Sequence, residues 1–119
     1  MKQYLKTSLE RLSKEYNIPI SDVRVGIEMD NDKSEISFFL WDKNKKQYSL
    51  CIVDVVGKEN KAFLPIVKMK ITNIFKKMKK EYDGDILDVR LYIKNGNLKG
   101  NIIIDYVPVA NFDFDKYLS

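Results

Sequence analysis

Apolar residues follow two different periods along this chain, and the switches between them lay out its elements. Leu64, Val67, Ile71, Ile74, Phe75, Met78 and Tyr82 recur at three- and four-residue steps. That spacing predicts one apolar stripe on a helix from about Pro65 to Tyr82, with the proline in the first turn, where its missing N–H is harmless. Lys70, Lys76, Lys77 and Lys80 lie off the stripe, and Lys68 and Lys79 flank it. Ile66 and Met69 fall towards the lysine side, where they either meet the preceding loop or form an exposed apolar spot. Asp83-Gly84 is expected to end the helix, with Gly84 as a left-handed cap. A shorter helix is predicted from Lys2 to Tyr16, with Leu5, Leu9, Leu12 and Tyr16 on its stripe and Asn17 and Pro19 as its stop.

Elsewhere the period is two. Val23, Val25, Ile27 and Met29 alternate with polar neighbours, and Ile36, Phe38 and Leu40 do so after an Asn31-Asp32-Lys33-Ser34 turn. Matching Met29 with Ile36, Ile27 with Phe38 and Val25 with Leu40 keeps one apolar face together. A third strand is expected over Gln47 to Val55, setting Tyr48, Leu50 and Ile52 against Leu40, Phe38 and Ile36. Asn95-Gly96, the preferred pair for a type I′ turn, predicts a last hairpin that matches Ile93 with Leu98, Val89 with Ile102 and Leu87 with Ile104. The tail after Pro108 reads as irregular, but Phe112, Phe114, Tyr117 and Leu118 suit it to packing down.

The order α-β-β-β-α-β-β predicts a single α+β domain over 1–119. Its two layers are a mainly antiparallel five-stranded sheet and two helices on one face. Burying the seven stripe residues of the long helix at roughly 1.5–3 kcal/mol each requires that helix to sit on the sheet.

Composition removes most chemistry. The 119 residues include no histidine and one cysteine, Cys51. This excludes histidine-based triads, imidazole zinc sites and an internal disulfide. No apolar run is long enough to span a membrane, and MKQYLKTSLERL lacks the apolar core of a secretory signal, so a cytoplasmic location and no membrane partner are expected. Asp30-Asn31-Asp32 and Asp83-Gly84-Asp85 read as turns rather than metal loops, and no cofactor is expected. Cys51 is placed mid-strand and given no role. The net charge of +4 is local: residues 59–82 carry seven lysines and two glutamates.

Two surfaces remain as candidates. Lys76, Lys77 and Lys80 offer a cationic helix face, which is either a solvated face or a contact for a polyanion or an acidic protein. Phe39, Trp41, Val53, Tyr92 and Ile103 are assigned to the sheet face away from the helices. Aromatics there are either covered by the C-terminal tail or form a partner surface, with Phe39, Trp41 and Tyr92 as its anchors.

The helix end Ile74-Phe75-Lys76-Lys77-Met78-Lys79-Lys80-Glu81-Tyr82, the alternating strand Leu87 to Ile93 and the ending Ile104-Asp105-Tyr106 resemble the YezG-like family of antitoxin and immunity proteins. The short first helix and Phe38-Phe39-Leu40-Trp41 are similar in order and spacing. The resemblance implies a cytosolic, non-enzymatic protein that occludes a cognate toxin, often a nuclease. The alternative expectation is a nucleic-acid-binding or phage-type accessory protein that uses the lysine helix 65–82.

Overall fold

In the computed structural model, which describes residues 2–30, 35–42 and 47–118, the two expected hairpins join through their first strands. Strands β1 (Arg24–Asp30) and β2 (Ile36–Trp41) pair in the predicted register: Met29 with Ile36, Ile27 with Phe38, Val25 with Leu40. Strands β4 (Ile86–Lys94) and β5 (Asn97–Ile104) likewise match Leu87 with Ile104 and Ile93 with Leu98. Asn95 (φ 52°) and Gly96 (φ 76°) form the left-handed turn between them. Strands β1 and β4 pair antiparallel, Val25 against Leu91 and Met29 against Leu87, which keeps their apolar faces together. With β3 (Gln47–Leu50) and β6 (Val107–Asn111) at the edges, the order is β3-β2-β1-β4-β5-β6.

Helices α1 (Lys2–Glu15) and α3 (Leu64–Glu81) bury Leu5, Leu9, Leu12, Val67, Ile71, Ile74, Phe75 and Met78 of the predicted stripes in a single core with the inner sheet face. Tyr16, by contrast, lies past the end of α1 and is exposed, and Leu64 and Tyr82 are half-buried. Leu9, Leu12, Phe75 and Met78 are fully enclosed there. Glu81 closes α3 and Tyr82 is already extended, at φ −123°. Gly84 is not a left-handed cap. It is needed because Ile104 lies against it, with Cγ2 2.2 Å from where a Cβ would stand.

Among the described residues, the structure corrects the expected five strands and two helices to six strands and four α-helices. The third strand stops at Leu50, after the expected pairs Tyr48–Leu40 and Phe38–Leu50. Cys51 ends the extended run, and Ile52–Val56 form the short helix α2, so Ile52 never reaches Ile36. The run Ile-Val-Asp-Val-Val has strand-forming side chains, but its backbone groups are served as a helix. Asp54 Oδ2 accepts the Cys51 N–H at 2.8 Å. One face of α1 supplies the other end. The Tyr4 hydroxyl donates to the Val56 carbonyl (2.8 Å), the Ser8 hydroxyl to that of Val55, and Arg11 Nη2 to those of Asp54 and Val55. The helix's last carbonyls, which have no partner within the helix, are thus capped from a neighbouring helix, and Asn60 Nδ2 also donates to that of Val56 at 3.0 Å. Ser8 is buried, so Ser8→Ala should cost about 1 kcal/mol in chemical denaturation, the loss being limited because Arg11 still serves Val55.

The tail is ordered rather than irregular. Asp105 (φ 48°) and Tyr106 (φ 69°) make a tight turn without glycine, and Asp105 Oδ1 accepts the N–H groups of Asp85 (3.0 Å) and Ile86 (2.9 Å). The expected turn at Asp83-Gly84-Asp85 is instead an irregular link with a bend at Asp85, tied to Asp105. Strand β6 tolerates Pro108 because it is an edge strand with a shift in register beside Ile103. Asp113 Oδ1 then accepts the N–H groups of Asp115 and Lys116, starting helix α4 (Phe114–Leu118). Phe112 stacks on Tyr117 with ring centres 5.0 Å apart, and the Tyr117 hydroxyl donates to Glu81 Oε2 at 2.7 Å. These contacts draw the tail into the core on the helix side of the sheet. The expected Asn31-Asp32-Lys33-Ser34 turn lies outside the described residues.

Candidate functional site: the outer sheet face

The helices that share the core lie on one side. The outer residues of β1, β2, β4 and β5 form a second face, half-buried or exposed except at Gly26, Asp88 and Ile103, which are buried. Alternation arranges them in rows across the strands. One row runs through Trp41, Arg24, Tyr92 and Lys99, the next through Phe39, Gly26, Arg90 and Asn101, and a third through Ser37, Glu28, Asp88 and Ile103. Three of the six anticipated site residues, Phe39, Trp41 and Tyr92, therefore share this face. The aromatic side chains of the tail pack into the helix-side core, while residues 111–115 border a cleft shared with Tyr92. Val53 is not on this face, because it belongs to α2.

The aromatics are interleaved with guanidinium groups that the sequence pattern did not single out. Phe39 and Trp41 have ring centres 5.7 Å apart. Arg90 lies 4.5 Å from the Trp41 ring centre, and Arg24 lies 4.8 Å from that of Tyr92. Each pairing sets a cation against the negative face of a ring, which holds both side chains flat and in place. Trp41 reaches this position only because Gly26 has no side chain: a Cβ there would stand 2.2 Å from Cζ3 and 2.5 Å from Cη2 of the indole. The glycine therefore makes a seat for the ring.

Asp88 lies beneath this layer with its side chain only 6% exposed. Its Oδ2 accepts from Arg90 Nη2 at 3.0 Å, while Oδ1 and Arg90 Nε have no hydrogen-bond partner among the described residues. Burial pushes the Asp88 carboxyl up to about 6. Arg90 opposes that rise and the charge of Glu28 adds to it. A carboxylate in this position was not legible as a site, since Asp88 reads in sequence as one more polar residue on a wet face.

Lys76, Lys77 and Lys80 lie on the opposite layer, exposed on the outward side of α3. The structure thus divides the anticipated site residues into two surfaces rather than joining them. Among the described residues no three His, Cys, Asp or Glu side chains converge as a metal site would need. Cys51 is exposed at the start of α2. No described helix is long and apolar enough to cross a membrane. Neither a protein-family model nor a curated protein matches the chain, so the YezG-like likeness rests on the residues quoted above.

Proposed function

We propose that this chain is a YezG-like antitoxin or immunity protein of the bacterial cytoplasm, which binds a cognate toxin and blocks it by covering its surface. The observation that carries the reading is the outer sheet face. It concentrates tryptophan, tyrosine and arginine, the side chains that dominate binding energy at protein interfaces, on rigid strands with no helix over them. Pre-stacked rings lose little side-chain entropy on association, which favours a stable complex. The partner is a protein, and the chain needs no cofactor to act.

Co-expression with the protein encoded by the neighbouring gene tests the reading. A stable complex and protection from that protein's toxicity are expected, and the absence of both sinks the proposal. Within such a complex, Trp41→Ala and Tyr92→Ala should each weaken binding by about 2 kcal/mol, roughly thirtyfold, by calorimetry. Melting curves would establish that each variant remains folded.

A second reading, a nucleic-acid-binding or phage-type accessory protein, draws on the other layer. Lys68, Lys70, Lys76, Lys77, Lys79 and Lys80 are all exposed on α3. Duplex DNA or RNA held by them would be released steeply as salt rises, and no binding at low salt would dispose of this reading.

A further inference from the structure

The outward side of α3 carries more than lysines. Phe63, just before the helix, is 54% exposed, Ile66 is 48% exposed and Met69 is 57% exposed. The sequence left open whether Ile66 and Met69 meet the preceding loop. Ile66 does so in part, sharing a cleft with Asn60 and Phe63, yet both side chains remain about half exposed. Ile66, Met69, Asn73, Lys76, Lys77 and Lys80 succeed one another at steps of one, three and four along a single helix face. That face is therefore apolar over its first turns and cationic over its last. The stretch 60–80 holds seven lysines and no acidic residue. Beside the apolar end opens a cleft of about 310 Å³ lined by Tyr4, Asn60, Phe63, Ile66, Val67 and Lys70.

The lysines have a structural use, since cations near a helix C-terminus suit the negative end of its dipole. That accounts for Lys79 and Lys80 and leaves three large exposed apolar side chains unexplained. A phosphate backbone would engage the lysines and leave Phe63, Ile66 and Met69 in water. A second copy of the chain would set lysines against lysines. An anionic bilayer satisfies both halves at once: apolar side chains enter the acyl boundary while lysines meet headgroup phosphates. The cleft adds apolar depth next to the Lys70 ammonium, matching the pairing of acyl chain and phosphate in one lipid.

We infer that the outward face of α3, from Phe63 to Lys80, docks peripherally on an anionic lipid surface. The docking face lies on the layer opposite Trp41 and Tyr92, so it stands or falls separately from the toxin reading.

Flotation of the intact chain with vesicles tests this. Vesicles of phosphatidylcholine mixed with phosphatidylglycerol should carry the protein, and vesicles of phosphatidylcholine alone should not. A triple variant Phe63→Ser, Ile66→Ser, Met69→Ser should lose at least about tenfold in partitioning, as should Lys76→Gln, Lys77→Gln, Lys80→Gln. Being at exposed positions, these changes should leave the melting curve in place. A second readout avoids the loss-of-function variants. In a Trp41→Phe background, Phe63→Trp should shift its emission to the blue on anionic vesicles. No flotation with phosphatidylglycerol at low salt overturns the inference. So does flotation that needs the lysines but is indifferent to the apolar triad, or duplex DNA binding with that same indifference. Binding of an acidic protein segment in place of vesicles would also overturn it.

Discussion

Gly26→Ala should unseat Trp41, lowering stability by about 2 kcal/mol and moving the chain's tryptophan emission to the red. The added methyl would stand 2.2 Å from the indole, well inside contact distance. Position 26 is held by ladders to both β2 and β4, opposite Phe39 on one side and Arg90 on the other, so the backbone has no room to retreat. The ring is at the far end of a side chain and can swing away, so the protein still folds. What is lost is the half-buried area of the indole, at about 25 cal/mol per Å², and its contact with the Arg90 guanidinium. Trp41 is the only tryptophan, so its emission reports the displacement directly. In the proposed complex the same variant should bind about as poorly as Trp41→Ala, because both remove the ring from its seat. If the emission does not move, the glycine is not what positions Trp41.

Why the sequence anticipated some of this and not the rest follows from how far each signal reaches. The hairpin at Asn95-Gly96 needs only local information: two residues suited to a left-handed turn, and an apolar alternation that agrees with it. The stripes of α1 and α3 are local in the same sense. The misread segments are those settled by distant partners. Ile52–Val56 looks like a strand, and its helix is completed by hydroxyl and guanidinium donors some forty to fifty residues away in α1. Pro108 spoke against a strand, but β6 takes the free edge, where a missing N–H disrupts no outer ladder. The candidate site divides along the same line. Alternation alone placed Phe39, Trp41 and Tyr92 on one face. Their pairing with Arg24 and Arg90, and the role of Gly26 beneath Trp41, depend on which strands lie side by side. The juxtaposition of β1 with β4 is not written in any one segment.

The two surfaces also differ in how they would act. The aromatic face is flat, rigid and partly desolvated already, which suits a single well-matched partner. The face of α3 is strongly cationic, and such charge acts at a distance and weakens with salt. Opposite layers let one chain use both without conflict.

Asp88→Asn should abolish a pH dependence of stability expected of the native protein between about pH 4 and pH 6. Burial raises the Asp88 pKa from 3.8 to about 6, so the folded state holds a proton there that the unfolded chain has already released. Stability from this group is therefore fully present below pH 3.8 and is lost as pH rises through 6. The change amounts to about 3 kcal/mol as an order of magnitude. Glu81 has the opposite sign. Hydrogen bonds from Lys116 and Tyr117 hold its carboxyl below the usual range, so its contribution is present at higher pH and lost as pH falls. Denaturation of both proteins across the range separates the two, because only the Asp88 contribution differs between them. The variant should keep the Glu81 slope and lose the other. Trp41 supplies a second reading, since a Cβ at position 26 would touch both its indole and Asp88 Oδ1. Ionisation of Asp88 should therefore appear as a step in native tryptophan emission near pH 6, absent from the asparagine variant. Equal slopes in the two proteins would mean that Asp88 is not the group whose proton the fold retains.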